Sequence, residues 1–114
     1  MTVTPLRERL VKVSLVGRLD AAGVDRIETR FLACLVPEGN SAIVDLTAVD
    51  FVASLGIRML ISASRSLKAR QAQLVVYGVD PRVNEVFETV SLGQIVSIRP
   101  TEAEALAAIA PSTV

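Results

Sequence analysis

Ser54 is the residue of this sequence whose type and position point most directly to chemistry. The apolar run 42–46 before it predicts a buried strand, and the pattern 55–68 after it predicts a helix. A serine at that junction is predicted to be the helix N-cap, where its oxygen accepts a hydrogen bond from one of the first free amides. Those amides and the helix dipole would also stabilise a phosphate on the same oxygen. The alternative is a plain cap, which stabilises a helix by on the order of 1 kcal/mol and has no other role.

Three residues that follow Ser54 extend it into a candidate docking surface. Gly56 is a poor helix former, and we interpret it as leaving room for another molecule to approach the backbone. Arg58 and Ser62 fall on the polar side of the predicted helix. Arg58 is open to two interpretations: a solvated side chain, or a contact with a partner that could also neutralise a phosphate on Ser54. A phosphate there would add roughly two negative charges to the surface and weaken the binding of a partner.

Two aspartates are predicted to lie near Ser54. Sites in parallel sheets gather beyond the carboxyl ends of the strands, and the loops expected there follow Leu19 and Leu46. The first loop holds Asp20 and the second holds Asp50. Asp20 is interpreted equally as a helix cap and as a site residue, because one carboxylate can serve both purposes.

Strands and helices alternate along the sequence, and this order would position the candidate site. Strands are predicted at 10–17, 42–46, 74–77 and 95–98, with a weaker edge strand at 3–9 that contains Pro5. Helices are predicted from 20 to about 36, from 55 to 68, from 81 to 93 and from 101 to about 110. The fold class is therefore α/β, with a central mixed, mostly parallel sheet of four to five strands and about four helices. At 114 residues, the chain is predicted to be one domain spanning 1–114.

The boundaries of the last two helices rest on specific residues. Asp80 followed by Pro81 predicts a helix start, with an N-cap and then proline at the first helical position. Gly93 is predicted to end that helix. Thr101 and Glu104 form a capping box that opens the last helix.

The composition excludes several classes of function. Twelve basic and twelve acidic residues give zero net charge, and aromatic residues are only 4%, so nucleic acid is not an expected partner. The absence of histidine removes Ser-His-Asp and Cys-His catalysis and the common zinc sites. We therefore expect no catalytic residue, no metal and no cofactor. A small enzyme built on Asp20, Asp50 and Ser54 is the weakest alternative.

The sequence also favours a cytoplasmic location without membrane insertion. No apolar run approaches the roughly 20 residues that cross a bilayer, and the first residues lack the regions of a signal peptide. The hydrophobic fraction of 51% indicates a folded domain. The single cysteine, Cys34, falls on the apolar side of a helical pattern and is predicted to pack in the core.

Two motifs resemble the STAS domain, a module shared by sulfate transporters and anti-sigma factor antagonists. In that family a strand ending in Asp-Leu leads through a short loop to a Phe-x-Asp-Ser-x-Gly-Leu-like motif that opens a helix. This chain has Val-Asp-Leu at 44–46 and Phe-Val-Ala-Ser-Leu-Gly-Ile at 51–57. Its Gly-Arg-Leu-Asp at 17–20 is similar to the Gly-x-Leu-Asp that ends the family's second strand. The resemblance runs from about 11 to 98, with Ala53 in place of the usual aspartate and Leu55 in place of a small residue.

The resemblance implies a STAS-like fold and a role as an anti-sigma factor antagonist in bacterial partner switching, with Ser54 as the phosphorylation site. The unmodified protein would bind an anti-sigma factor that is also a serine kinase, and this kinase would inactivate it by phosphorylation. A serine phosphatase would restore it. The protein would thus regulate transcription as a kinase substrate and binding module, and it would be a monomer or a weak dimer. The partner-binding residues are predicted to be Asp20, Asp50, Ser54, Gly56, Arg58 and Ser62.

Ala53 gives the two aspartates a specific expected role. A carboxylate before the serine would orient the hydroxyl or bind the metal of a kinase, and alanine does neither. Asp20 or Asp50 is expected to substitute for it if folding brings one of them close to Ser54.

An alternative keeps the fold and changes the role. The chain would then be a STAS subunit of a membrane transporter or sensor complex, and the Ser54 helix would be only a docking surface. Co-purification separates the two hypotheses, because the first predicts recovery of a soluble kinase and the second recovery of a transporter ATPase.

Overall fold

The computed structural model describes residues 1–109 and contains the predicted alternation of strands and helices. The strands are β1 (Thr2–Arg7), β2 (Leu10–Leu19), β3 (Ser41–Val52), β4 (Leu74–Tyr77) and β5 (Ser97–Arg99). The helices are α1 (Ala21–Leu35), α2 (Ser54–Ala69), α3 (Pro81–Thr89) and α4 (Glu102–Ala108), and a short 3-10 turn covers Leu92–Gln94. None of these helices is both long and apolar enough to span a bilayer.

The five strands form one mixed sheet in the order β1-β2-β3-β4-β5. β1 pairs antiparallel with β2, and the remaining neighbours pair in parallel. The prediction of a mixed, mostly parallel sheet with about four helices is therefore confirmed. The predicted edge strand also forms, because Pro5 lies on the outermost strand, where a missing amide is tolerated.

Helices cover both faces of the sheet, although unequally. The larger core lies under α1, α2 and α3 and includes Leu15, Phe31, Leu60, Val76 and Phe87. The smaller core lies under α4 and consists of Leu10, Ile43, Val75, Tyr77, Ala105 and Ile109. Because β2 and β3 are parallel, their carboxyl ends lie at the same edge of the sheet. α1 and α2 begin at this edge, where the candidate site is expected.

β3 is much longer than the predicted strand 42–46. Its first residues pair with β4 as well as β2, whereas its last residues, from Ala48 to Val52, pair only with β2. Val49 and Val52 are buried in this extension, and the register shifts twice along it. The predicted loop after Leu46 is thus a bulged strand, and the exposed Asp50 is a strand residue.

Three of the four α-helices begin with a capping side chain, as the sequence predicts. The side chains of Asp20, Asp80 and Thr101 accept hydrogen bonds from the backbone amides of Gly23, Arg82 and Glu104 respectively. These contacts confirm the predicted starts of α1, α3 and α4. The start of α2 is different and belongs to the site described below.

Two predicted boundaries near the carboxyl end of the described chain are wrong. α3 ends at Thr89, where Ser91 turns the chain with a left-handed φ of 55°, and Gly93 lies in the following 3-10 turn. β5 covers Ser97–Arg99 and not 95–98. Ile95 and Val96 face the core from the turn, so their apolar character reflects burial and not strand pairing.

Candidate docking and phosphorylation site

Ser54 is the first residue of α2 and not its N-cap. The N-cap is Ala53, whose extended backbone (φ −91°, ψ 175°) leads the chain from β3 into the helix. The carbonyl of Ala53 accepts hydrogen bonds from the amides of Gly56 and Ile57 at 2.9 and 3.2 Å. The prediction that the Ser54 hydroxyl caps the helix is therefore wrong, because alanine, one position earlier, starts the helical turn.

The Ser54 side chain is exposed, and its hydroxyl is unengaged in the described part of the chain. The amides of Ser54 and Leu55 also have no hydrogen-bond partner within residues 1–109. Free amides at a helix start bear the positive end of the helix dipole. An exposed hydroxyl beside two such amides is an arrangement that can receive and hold a phosphate.

Backbone pairing brings the start of α2 beside the start of α1. Leu19 and Val52 are partners in the β2–β3 ladder, and the amide of Ala53 donates to the carbonyl of Leu19 at 2.9 Å. Asp20 follows Leu19 directly, so the structure places Asp20 and Ser54 at the same corner of the sheet. This proximity was expected from the shared carboxyl edge of parallel strands.

Asp20 serves first as the N-cap of α1. Its Oδ1 accepts a hydrogen bond from the amide of Gly23 at 2.8 Å, and its Oδ2 lies 3.6 Å from Nε of Arg18. The hydrogen bond from Gly23, with the nearby Arg18 guanidinium, lowers the pKa of the Asp20 carboxyl below its ordinary value. The carboxylate is thus charged at neutral pH, beside the Ser54 corner.

Arg18 lies over the ring of Phe51, with its guanidinium carbon 4.1 Å from the ring centroid. Local sequence does not predict this contact, because Arg18 and Phe51 are brought together only by the parallel register of β2 and β3. Phe51 and Leu55 are 39% and 42% exposed, large values for apolar side chains. The corner therefore combines a stacked arginine with two exposed apolar groups, a composition that is enriched in protein interfaces.

Asp50 has different neighbours from the other predicted site residues. It lies near the start of α3, where Arg82 is paired with Asp80 at 3.2 Å. The pKa of Arg82 is raised above its ordinary value mainly by Asp80, with a smaller contribution from Asp50. Of the two aspartates expected to substitute for the missing carboxylate, Asp20 is the one that the backbone pairing brings to the start of α2.

Gly56 is buried and has a packing role. A Cβ atom added at this position would come within 2.9 Å of Val52 Cγ1 and 3.0 Å of Leu19 Cβ. The expectation that Gly56 leaves room for a partner is therefore wrong. The structure instead shows that β2 and β3 fill this room, so that glycine lets α2 approach the sheet closely.

Arg58 and Ser62 are exposed, as expected, on the same side of α2 as Ser54. The spacing of four residues between neighbours places all three on one helix face. Arg58 has no ion pair within residues 1–109. This face, together with Asp20, is the part of the predicted site that the structure brings to one surface.

A comparison with protein families identifies this arrangement. The STAS domain family matches residues 2–105, nearly all of the described chain. The chain belongs to the STAS domain family.

Relatives and solved structures place this STAS domain among the anti-sigma factor antagonists. The anti-sigma-B factor antagonist of Listeria monocytogenes is 30% identical over 94 residues, which are 82% of each chain. An anti-sigma-factor antagonist (STAS) domain protein of Planctomyces limnophilus has a structure with a TM-score of 0.82, 25% identity and 96% coverage of both chains. The phosphorylated form of the Bacillus cell fate determinant SpoIIAA shares the fold, with a TM-score of 0.69, 22% identity and coverage of 93% and 96%. This STAS domain is of the anti-sigma factor antagonist type.

Proposed function

We propose that this protein binds an anti-sigma factor in bacterial partner switching and is released from it by phosphorylation of Ser54. The observation that supports this most directly is the exposed, unengaged Ser54 hydroxyl at a helix start without a capping side chain. The other α-helices begin with a side chain that accepts a hydrogen bond from one of their free amides. The start of α2 therefore has both a group that can be modified and amides that can stabilise the product.

Phosphorylation would change the charge of the docking surface at its centre. The kinase transfers the γ-phosphoryl group of ATP: the bond to ADP breaks, a bond to Ser54 Oγ forms, and the hydroxyl proton leaves to a base of the kinase. The product bears roughly two negative charges near neutral pH. Arg18 partly offsets the negative charge of Asp20 at this corner, so the transfer changes the local charge toward negative for a partner that accepts the unmodified surface.

The protein is a binding module and kinase substrate in this proposal, and not an enzyme. The kinase activity belongs to the anti-sigma factor, and a separate serine phosphatase removes the phosphate. Residues 1–109 contain no group of three or more side chains that could hold a metal ion. We propose that the protein acts in the cytoplasm, without binding nucleic acid or inserting into a membrane.

Intact-mass analysis of the protein from its native cell tests the modification. We expect two forms that differ by one phosphate, with the added mass mapped to Ser54 by fragmentation. Co-purification from the same cells should recover a soluble anti-sigma factor with a kinase domain. Recovery of a transporter ATPase, with Ser54 never modified, would support the alternative of a transporter or sensor subunit.

Binding measurements with the recovered kinase test the consequence. Ser54→Asp should weaken binding by at least about tenfold, because it places a negative charge in the interface. Ala103→Asp is the matched control: it adds the same charge at an exposed position on α4, over the opposite face of the sheet. Equal affinity of Ser54→Asp and wild type would contradict the proposal.

A further inference from the structure

α2 bears positive charge that the described part of the molecule does not neutralise. The helix contains Arg58, Arg65 and Lys68 and no acidic residue. All three are exposed. The ion pairs within residues 1–109 all involve other cations. α2 thus presents unpaired cations in a chain whose net charge is zero.

Two of these cations lie in line with the phosphorylation site. Ser54, Arg58, Ser62 and Arg65 follow one another at spacings of four, four and three residues, so they share one face of the helix. We call these four residues the α2 basic face. At a rise of 1.5 Å per residue, this face extends for about 16 Å from the hydroxyl.

The helix dipole slightly disfavours the charge of Arg58 in the isolated protein. Arg58 lies in the second turn of α2, close to the positive end of the helix dipole, and the first turn contains no acidic residue. Lys68, in contrast, lies in the last turn, where a cation is favourable. No acidic side chain within residues 1–109 pairs with Arg58, so its charge is free to face a negatively charged group of a partner.

The surroundings of the face favour a protein as the source of that negative charge. The exposed Leu55 and Phe51 lie at its start, with Arg18 stacked on the Phe51 ring. Apolar, aromatic and arginine side chains together are typical of protein interfaces. The face also has only two arginines, separated by a serine, and the chain has few aromatic residues with which to stack bases.

We infer that the α2 basic face docks on an acidic surface of the anti-sigma factor, with Arg58 and Arg65 facing its carboxylates. This inference rests on the proposed function and adds the chemistry of the partner surface. Opposite charges across the interface would speed association and favour this partner over others.

The same geometry explains how one phosphate has a large effect. Ser54 and Arg58 are four residues apart, the spacing at which oppositely charged side chains pair on a helix. A phosphate on Ser54 would therefore pair with Arg58 and remove it from the partner. The modification then repels the acidic surface and also removes the cation that faced it.

Charge reversal of the two arginines tests the docking surface. The probe is the purified anti-sigma factor kinase recovered with the chain, and affinity is measured by titration calorimetry at low and high salt. Arg58→Glu with Arg65→Glu should weaken binding by about 30-fold, and the remaining affinity should depend less on salt than that of wild type. Arg58→Gln with Arg65→Gln, which removes charge without reversing it, should weaken binding by a smaller factor and serves if the first variant folds poorly.

Arg7→Glu is the matched control. It makes the same change of charge as either α2 substitution alone, at an exposed residue of β1 at the opposite end of the sheet from Ser54. Its affinity should stay within about twofold of wild type, because charges more than a Debye length away are screened. Equal effects of Arg7→Glu and of the α2 variants, or no effect of the α2 variants, would overturn the inference.

The outcomes separate this inference from the proposed function. If Ser54→Asp weakens binding and the α2 variants do not, the proposed function stands and the acidic surface is rejected. If wild type binds no such kinase, both are rejected. If wild type instead binds a DNA duplex or anionic vesicles, and the α2 variants abolish this, then the assigned partner is wrong.

A double-mutant cycle tests the neutralisation of Arg58. The fold-loss of affinity caused by Ser54→Asp should be several times smaller in an Arg58→Ala protein than in wild type. In the Arg58→Ala protein, the cation that the new carboxylate would pair with is already absent. The same fold-loss in both backgrounds would mean that the negative charge acts by repulsion alone.

Discussion

The starts of α1 and α2 are two versions of one arrangement. Both follow a strand that ends at the same edge of the sheet, and both have a buried glycine as the third helical residue, Gly23 and Gly56. Both glycines lie against the end of β2, with Arg18 and Leu19 as their neighbours. The difference is in the capping residue, because the side chain of Asp20 accepts a hydrogen bond from one amide of α1 and no side chain caps α2.

The capped start of α1 contributes to stability, whereas the uncapped start of α2 remains available for function. At α1, the carboxylate of Asp20 accepts a hydrogen bond from the first turn and stabilises the helix. At α2, the helix gives up the stability that a capping side chain provides, and the free amides and the Ser54 hydroxyl remain available. Substitutions at equivalent positions of α1 and α2 should therefore change the free energy of unfolding by different amounts or in opposite directions.

The largest effect is expected from Gly23→Ala. A Cβ atom there would clash with the carbonyl oxygen of Arg18, and the backbone cannot move aside without a large cost. We expect a loss of about 3 kcal/mol in the free energy of unfolding, measured by urea denaturation. Gly56→Ala is the comparison and should lose less stability. Its added Cβ would lie 2.9 Å from Val52 Cγ1, 3.0 Å from Leu19 Cβ and 3.1 Å from the Leu19 carbonyl oxygen, so the overlap is smaller, and alanine is the better helix former. Equal losses for the two variants would show that the two glycines are packed alike.

A smaller loss is expected from Asp20→Ala. The substitution removes the hydrogen bond to the amide of Gly23, and the melting temperature should fall by about 4 °C.

The pH dependence of the stability of Asp20→Ala gives a second measurement. The pKa of Asp20 is lower in the folded protein, so its contribution is present above the unfolded value near 4 and is lost as pH falls through the folded value. The difference in stability between wild type and Asp20→Ala should therefore become smaller below pH 4. A difference that is constant with pH would mean that the cap acts without its charge.

The contrast between the two helix starts could be predicted only in part. Asp20, Asp80 and Thr101 were predicted as caps because their side chains and the apolar pattern after them mark the first turn. At α2 the same reasoning selected Ser54, since serine is a strong capping residue and alanine is a weak one. In the structure, β3 continues to Val52, and the amide of the next residue, Ala53, donates to Leu19 at the end of β2. This long-range pairing does not show in the local sequence.

Long-range packing also decided the role of two other residues at this corner. The helix propensity of Gly56 says only that glycine is unfavourable, and its neighbours on β2 and β3 become known with the structure. Arg18 and Phe51 are 33 positions apart in the sequence, and the parallel register brings them together. By contrast, the exposure of Arg58 and Ser62 followed from helical periodicity alone, because it requires only that α2 pack on one face.

Ala53→Asp should make α2 resemble α1. The backbone of Ala53 is already extended, as an N-cap requires, so an aspartate there can accept a hydrogen bond from the free amide of Leu55. We expect a gain of about 0.5 to 1 kcal/mol in the free energy of unfolding. Ala22→Asp, at an exposed position in the first turn of α1, is the control for added charge without a new cap. A gain for Ala22→Asp as large as that for Ala53→Asp would assign the effect to the helix dipole.

The smallest effect on stability is expected from Ser54→Ala, and this result would sharpen the comparison most. The hydroxyl makes no hydrogen bond within residues 1–109 and the side chain is exposed, so the free energy of unfolding should change by less than about 0.5 kcal/mol. The same variant should take up no phosphate from the kinase.

Replacing a capping serine by alanine would instead lower the free energy of unfolding by about 1 kcal/mol. Thr101→Ala should show this loss at the start of α4, where the hydroxyl accepts a hydrogen bond from the amide of Glu104 at 3.2 Å. Equal losses for Ser54→Ala and Thr101→Ala would mean that Ser54 supports the helix after all. A neutral Ser54→Ala would mean that fold stability does not require serine at this position, which leaves its hydroxyl to be explained by a reaction or a partner.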